Sequence, residues 1–187
     1  CIENMTSMIQ GSDQNTPVTI FEEACAYANQ KVYQAANSNP EYEGMGTTMV
    51  ACTLQEDTLF VANIGDSRLY LLHEHLQQIT NDHSLVEEMV KIGNLTESEA
   101  RMHPQKNIIT RALGIDEEVQ PDFFEIKVLP GDIILLCSDG LSNMVEDEDM
   151  EYLIRHTDSL EQAGDALVKR ANANGGSDNI TAVLVQV

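Results

Sequence analysis

Three aspartates stand where an apolar, strand-like run meets a turn: Asp66 in Asn63-Ile-Gly-Asp-Ser-Arg68, Asp139 in Cys137-Ser-Asp-Gly-Leu141, and Asp178 in Gly175-Gly-Ser-Asp-Asn179. A carboxylate beside a buried strand is costly unless it is hydrogen-bonded or neutralised, and a divalent cation neutralises it efficiently. Converging carboxylates would make a site for hard ions such as Mg²⁺ or Mn²⁺, which prefer oxygen donors. Taken singly, each Asp reads first as the cap of a turn or helix, since its Gly and Asn neighbours are what turns require, and only together do the three favour a metal site.

Other polar groups carry weaker signals. The five histidines show no His-x-x-x-His spacing. His73 and His75 flank a hairpin turn and read as solvated loop residues rather than zinc ligands. His83 and His103 border a helical stretch, where hydrogen bonding fits better than an acid role in catalysis. The acidic run Glu146-Asp-Glu-Asp149 lacks the glycine and ligand spacing of a calcium loop and reads as a negatively charged first helical turn. Arg68 and Arg111 each follow a Ser or Thr in a structural motif and are expected to be structural. Cys1, Cys25, Cys52 and Cys137 show no Cys-x-x-Cys spacing and are expected to be reduced thiols.

Composition narrows the function classes. A chain of 187 residues fits one compact domain. Acidic residues outnumber basic ones 31 to 10, for a formal charge of −21, so nucleic-acid phosphates and anionic membrane surfaces would be repelled over much of the surface. No apolar run approaches the ~18 residues of a membrane span. The expectation is a cytoplasmic monomer with no nucleic-acid partner and no membrane segment.

The elements that must position the aspartates follow from periodicity. Residues 1 to 18 read as a loop around the polar stretch 11–17. A capping box of Thr19 with Glu22 predicts a helix to about Asn37, with Ile20, Ala24, Ala28, Val32 and Ala35 as its buried stripe. Strands are predicted over 47–54, 58–64 and 68–73, joined as a meander. From Asp82 to Gly114 two capping boxes, Ser84 with Glu87 and Thr96 with Glu99, open two short helices around a Gly93-Asn94 turn. Strands return at 122–128 and 132–138, the second continuously apolar and therefore central. Helices at 147–155 and 160–173 and a last strand at 179–187 complete an α+β layered sandwich.

Six pieces in this order carry a resemblance: Gly44-Met-Gly-Thr-Thr48, Val61-Ala-Asn-Ile-Gly-Asp-Ser-Arg68, Thr80-Asn-Asp-His-Ser84, Ile109-Thr-Arg-Ala-Leu-Gly114, Leu136-Cys-Ser-Asp-Gly-Leu141 and Ser177-Asp-Asn-Ile-Thr-Ala-Val183. Together they resemble the metal-dependent protein phosphatase family, the type 2C class of serine/threonine phosphatases, in its bacterial form. The resemblance implies an antiparallel β-sandwich flanked by helix pairs, a four-layer αββα arrangement, here without its N-terminal strands. It further implies a centre of two Mn²⁺ or Mg²⁺ ions with Asp139 and Asp178 on one of them, and a third, weaker ion held with the help of Asp66 and Asp139. Residues 82–114 resemble the family's flap, where substrate sequences are discriminated.

The implied activity is hydrolysis of phosphoserine and phosphothreonine on proteins by a metal-activated water. Phosphoproteins and a Ser/Thr kinase are the implied partners. The family's Asp-Gly-x-Gly-Gly segment and upstream phosphate-gripping Arg have no counterpart here, Asp13 sitting in a polar loop without the glycines. The expectation is that an N-terminal segment is missing and that residues 1–187 alone are nearly inactive. The alternative is a non-catalytic binding or regulatory module.

Overall fold

The structure, a computed structural model, describes residues 16–187; Cys1, Asp13 and most of the expected N-terminal loop lie outside them. The chain divides into two compact units, one running to Gly65 and taking in Asp82–Ile126, the other formed by Asp66–Asn81 with Lys127–Val187.

In the first unit, α1 spans Pro17–Ser38. It starts earlier than the Thr19 box predicts, because Thr16 accepts from the Thr19 N–H and Pro17 supplies a preset φ at the first helical position. Its buried face is Phe21, Ala24, Cys25, Ala28 and Asn29, whereas Ile20, Val32 and Ala35 are only partly covered. Asn29 belongs to that face because its amide is fully used. Its Nδ2 donates to the Asp116 and Glu117 carbonyls at 3.0 Å each, and its Oδ1 accepts from the Gly114 N–H at 2.7 Å.

The strands β1 (Met49–Gln55) and β2 (Thr58–Ile64) form an antiparallel hairpin, with β5 (Asp122–Lys127) on the other side of β2. Between β2 and β5 the helical stretch contains α2 (Leu85–Lys91), capped by Ser84, and α3 (Glu97–Met102), opened by a complete Thr96–Glu99 capping box. Gly93 makes the intervening turn at φ +77°, a backbone conformation that suits glycine.

The second unit holds β3 (Arg68–Leu72), β4 (Leu76–Gln78), β6 (Ile133–Cys137) and β7 (Ala182–Gln186) in the order β4-β3-β6-β7, each neighbouring pair antiparallel. The expected meander is therefore wrong at one joint: β3 leaves β2 and pairs with β4 and β6. Backbone hydrogen bonds are chemically alike in every strand, so adjacency in sequence does not by itself choose the partner. The expectation that the Ile133–Cys137 run is central holds, since β6 lies between β3 and β7.

Three helices serve this sheet: α4 (Asp139–Ser142), α5 (Asp147–Arg155) and α6 (Leu160–Ala173). Its apolar core gathers Tyr70, Leu135, Leu141, Met150, Ile154 and Leu167. The acidic first turn of α5 is as expected, with Asp149 paired to Arg170 at 2.7 Å. Cys25 and Cys137 are buried and Cys52 half-buried, all as free thiols, and burial pushes the Cys25 thiol up to about 12. Among the described residues no helix is long and apolar enough to cross a membrane.

Candidate metal centre

The register of the second sheet decides where the aspartates go. Arg68 on β3 faces Cys137 on β6, and Cys137 faces Ala182 on β7. Asp66 lies two residues before Arg68, Asp139 two after Cys137, and Asp178 four before Ala182. Because the strands alternate in direction, all three chains carry their Asp off the same end of the sheet. Asp66 and Asp139 are half-buried and Asp178 is exposed.

Two of the three are tied together by close packing. Ser138 uses its hydroxyl to bind the segment around Asp178 rather than to cap α4: Oγ donates to the Asn179 carbonyl at 3.1 Å and accepts from the Thr181 N–H at 3.0 Å. The Ser138 N–H donates to the Thr181 carbonyl at 3.1 Å. Gly140 completes the approach, since a Cβ there would lie 2.3 Å from the Asn179 carbonyl oxygen and 3.5 Å from the Asp178 Cβ. Only a residue without a side chain lets the first turn of α4 rest against Asp178–Asn179.

Gly140→Ala is accordingly expected to destabilise the protein by about 2 kcal/mol or more and to weaken Mn²⁺ binding by moving Asp139 away from Asp178. Thermal melting and calorimetric Mn²⁺ titration of the variant check both effects. An unchanged melting temperature would show that the contact is not tight.

Local hydrogen bonds engage the carboxylates in their own turns. Asp139 Oδ2 accepts from Asn143 Nδ2 at 3.3 Å, one helical turn on, and Asp178 Oδ1 accepts from the Asn179 N–H at 2.7 Å. Among the described residues no three or more His, Cys, Asp and Glu side chains close into one ion-holding group. The candidate donors are all carboxylate oxygens at one edge, which is the chemistry a hard divalent cation accepts.

Arg68 Nη1 donates to the buried Tyr70 hydroxyl at 2.9 Å, while Arg111 Nη1 donates to the Gln120 carbonyl at 2.9 Å and to Asp122 Oδ1 at 2.7 Å. His103 accepts from the Gln105 N–H. His73 is more than a solvated loop residue, since its Nδ1 meets the buried Asp132 at 2.6 Å. Burial opposes charge on Asp132, but the Leu129 N–H and His73 outweigh it and hold the carboxyl below its usual range.

Ser138 and Asn143 support the candidate site and were not singled out from the sequence. A polar pair four apart, Asp139 and Asn143, was a readable signal for one helical turn; nothing local pointed to the Ser138 contacts.

Known proteins resemble this chain in sequence and fold. The protein phosphatase 2C family model matches residues 2–180. A serine/threonine phosphatase stp of Listeria monocytogenes is 43% identical over 159 residues, 84% of this chain and 63% of that protein. The chain thus spans a little under two thirds of that relative's length. The crystal structure of the serine/threonine phosphatase Stp1 from Staphylococcus aureus superposes with a TM-score of 0.91 at 35% identity, covering 99% of this chain and 76% of that one.

A structure of the catalytic domain of the serine/threonine protein phosphatase PstP in complex with two manganese ions gives 0.88 at 32% identity, covering 99% and 77%. The antiparallel sheets and helices are those of this phosphatase fold. With the model matching nearly end to end and the aspartate-bearing motifs in place, the chain belongs to the protein phosphatase 2C family.

Proposed function

We propose that the protein hydrolyses phosphoserine and phosphothreonine on other proteins at a centre of divalent cations, Mn²⁺ or Mg²⁺. Asp139 and Asp178 hold one of two ions, and Asp66 with Asp139 helps to hold a third, weaker one. The observation that carries the reading is the antiparallel register that brings Asp66, Asp139 and Asp178 to one end of one sheet, with Gly140 seated against Asn179. Ions bound there would activate water for attack on phosphorus and offset charge on the phosphoryl oxygens.

The chain's own contribution is positional. Ser138 and Gly140 keep the Asp139 and Asp178 turns together, and Asn143 donates to one Asp139 oxygen. The names of the relatives support phosphoproteins as substrates. We place the protein in the cytoplasm, opposing a Ser/Thr kinase. The helical stretch 82–114 would handle protein substrates.

The test is phosphate release from phosphoserine and phosphothreonine peptides by the full-length protein with Mn²⁺. Release that stops on chelation is the expected result. Peptide binding without release would favour a non-catalytic module.

A further inference from the structure

Gly65 delivers the chain from β2 to Asp66, and it is held at both of its peptide groups by one residue. Its N–H donates to His83 Nδ1 at 3.0 Å, and its carbonyl accepts from the His83 backbone N–H at 2.9 Å. Asn63 Nδ2 adds a longer bond to the same carbonyl at 3.3 Å. The glycine sits at φ +102°, and a Cβ there would lie 2.4 Å from Thr48 Cγ2, so the turn is closed from that side too. His83 is 5% exposed and Asn63 fully buried, which keeps water from competing for these bonds.

The accepting Nδ1 decides the tautomer. A nitrogen that receives the Gly65 N–H carries no proton of its own, so His83 is a neutral imidazole with its proton on Nε2. That Nε2 lies 3.1 Å from Asp122 Oδ2, in contact but without the alignment of a good hydrogen bond. Asp122 is anchored in turn by Arg111. The His83 carbonyl accepts from the Thr110 N–H at 2.8 Å, and Ser84 bridges to Ile109, so this residue also ties the two roots of the 82–114 stretch.

We propose that His83 is a positioning residue for Asp66, its imidazole Nδ1 fixing the Ile64–Gly65 peptide plane and its backbone N–H fixing the Gly65–Asp66 plane that follows. A peptide plane contains the nitrogen and Cα of the following residue, so pinning it sets the origin of the Asp66 side chain. The proposal rests on the reading of Asp66 as a ligand of the weaker ion. Partners one step removed from a metal ligand typically change metal affinity by about 10- to 100-fold when lost.

Two substitutions in the full-length protein separate the roles. His83→Asn places an acceptor oxygen near the position of Nδ1, whereas His83→Gln places its polar end near Nε2 and leaves the Gly65 N–H unpaired. Without metal, amide exchange at Gly65 is expected to be slow in the wild type and in His83→Asn, and at least ~10-fold faster in His83→Gln. In Mn²⁺ titrations of p-nitrophenyl phosphate turnover, His83→Gln should need about 10-fold more Mn²⁺ and His83→Asn no more than about 3-fold.

Asp66→Ala is the reference, expected to lose the low-affinity part of the titration. If Asp66→Ala loses it while His83→Gln titrates as wild type, the inference falls and the ligand reading stands. If Asp66→Ala itself titrates as wild type, the ligand reading falls and takes the inference with it. A Gly65 amide that exchanges freely in the wild-type protein overturns the clasp without any variant.

Discussion

Asp139→Asn in the full-length protein is expected to abolish Mn²⁺-dependent hydrolysis of p-nitrophenyl phosphate, a loss of about 10³-fold or more, with the fold intact. Asn matches Asp in shape, and its side-chain oxygen can still accept from Asn143 Nδ2, the bond Asp139 makes at 3.3 Å. What it lacks is the negative charge that a divalent ion requires of its ligands. The Ser138 contacts to Asn179 and Thr181 do not involve the carboxylate, so the turn should persist. Turnover, melting temperature and calorimetric Mn²⁺ stoichiometry, measured on one preparation, separate loss of the ion from loss of structure. Near wild-type turnover would remove Asp139 from the centre.

For Asp66→Ala the expected loss is about 10²-fold in turnover at saturating Mn²⁺, the scale associated with positioning a proton donor for the leaving group. The two central ions should stay bound, because Asp139 and Asp178 remain. A turn-capping Asp would behave differently: its removal would cost about 1 kcal/mol of stability and leave turnover unchanged. Melting and kinetics together therefore decide between the two roles, and a lowered melting temperature with full turnover would make Asp66 structural only.

Much of the local architecture was legible because its causes are local. The Thr96–Glu99 box and the Ser159 cap, which accepts from the Gln162 N–H at 3.2 Å, act within a single helical turn. The apolar Ile133–Cys137 run could only be an interior strand. The start and face of α1 were less legible. An apolar count does not include Asn29, which is 1% exposed yet loses nothing by burial because the Gly114–Glu117 backbone satisfies its amide.

The candidate site divides along the same line. The sequence by itself determined that Asp66, Asp139 and Asp178 stand at strand-to-turn junctions, since neighbouring glycines, asparagines and apolar runs specify such junctions within a few residues. It also carried the family, through six short motifs in order. Only the tertiary structure decided that β3 leaves β2 for β6, and hence that all three aspartates share one end of one sheet. Only it showed that Gly140 must lack a side chain because of Asn179, and that His83 closes on Gly65 across 17 intervening residues. The strand pairing is between backbone groups that are chemically identical everywhere, and all three contacts rest on tertiary packing rather than on any residue's sequence neighbours.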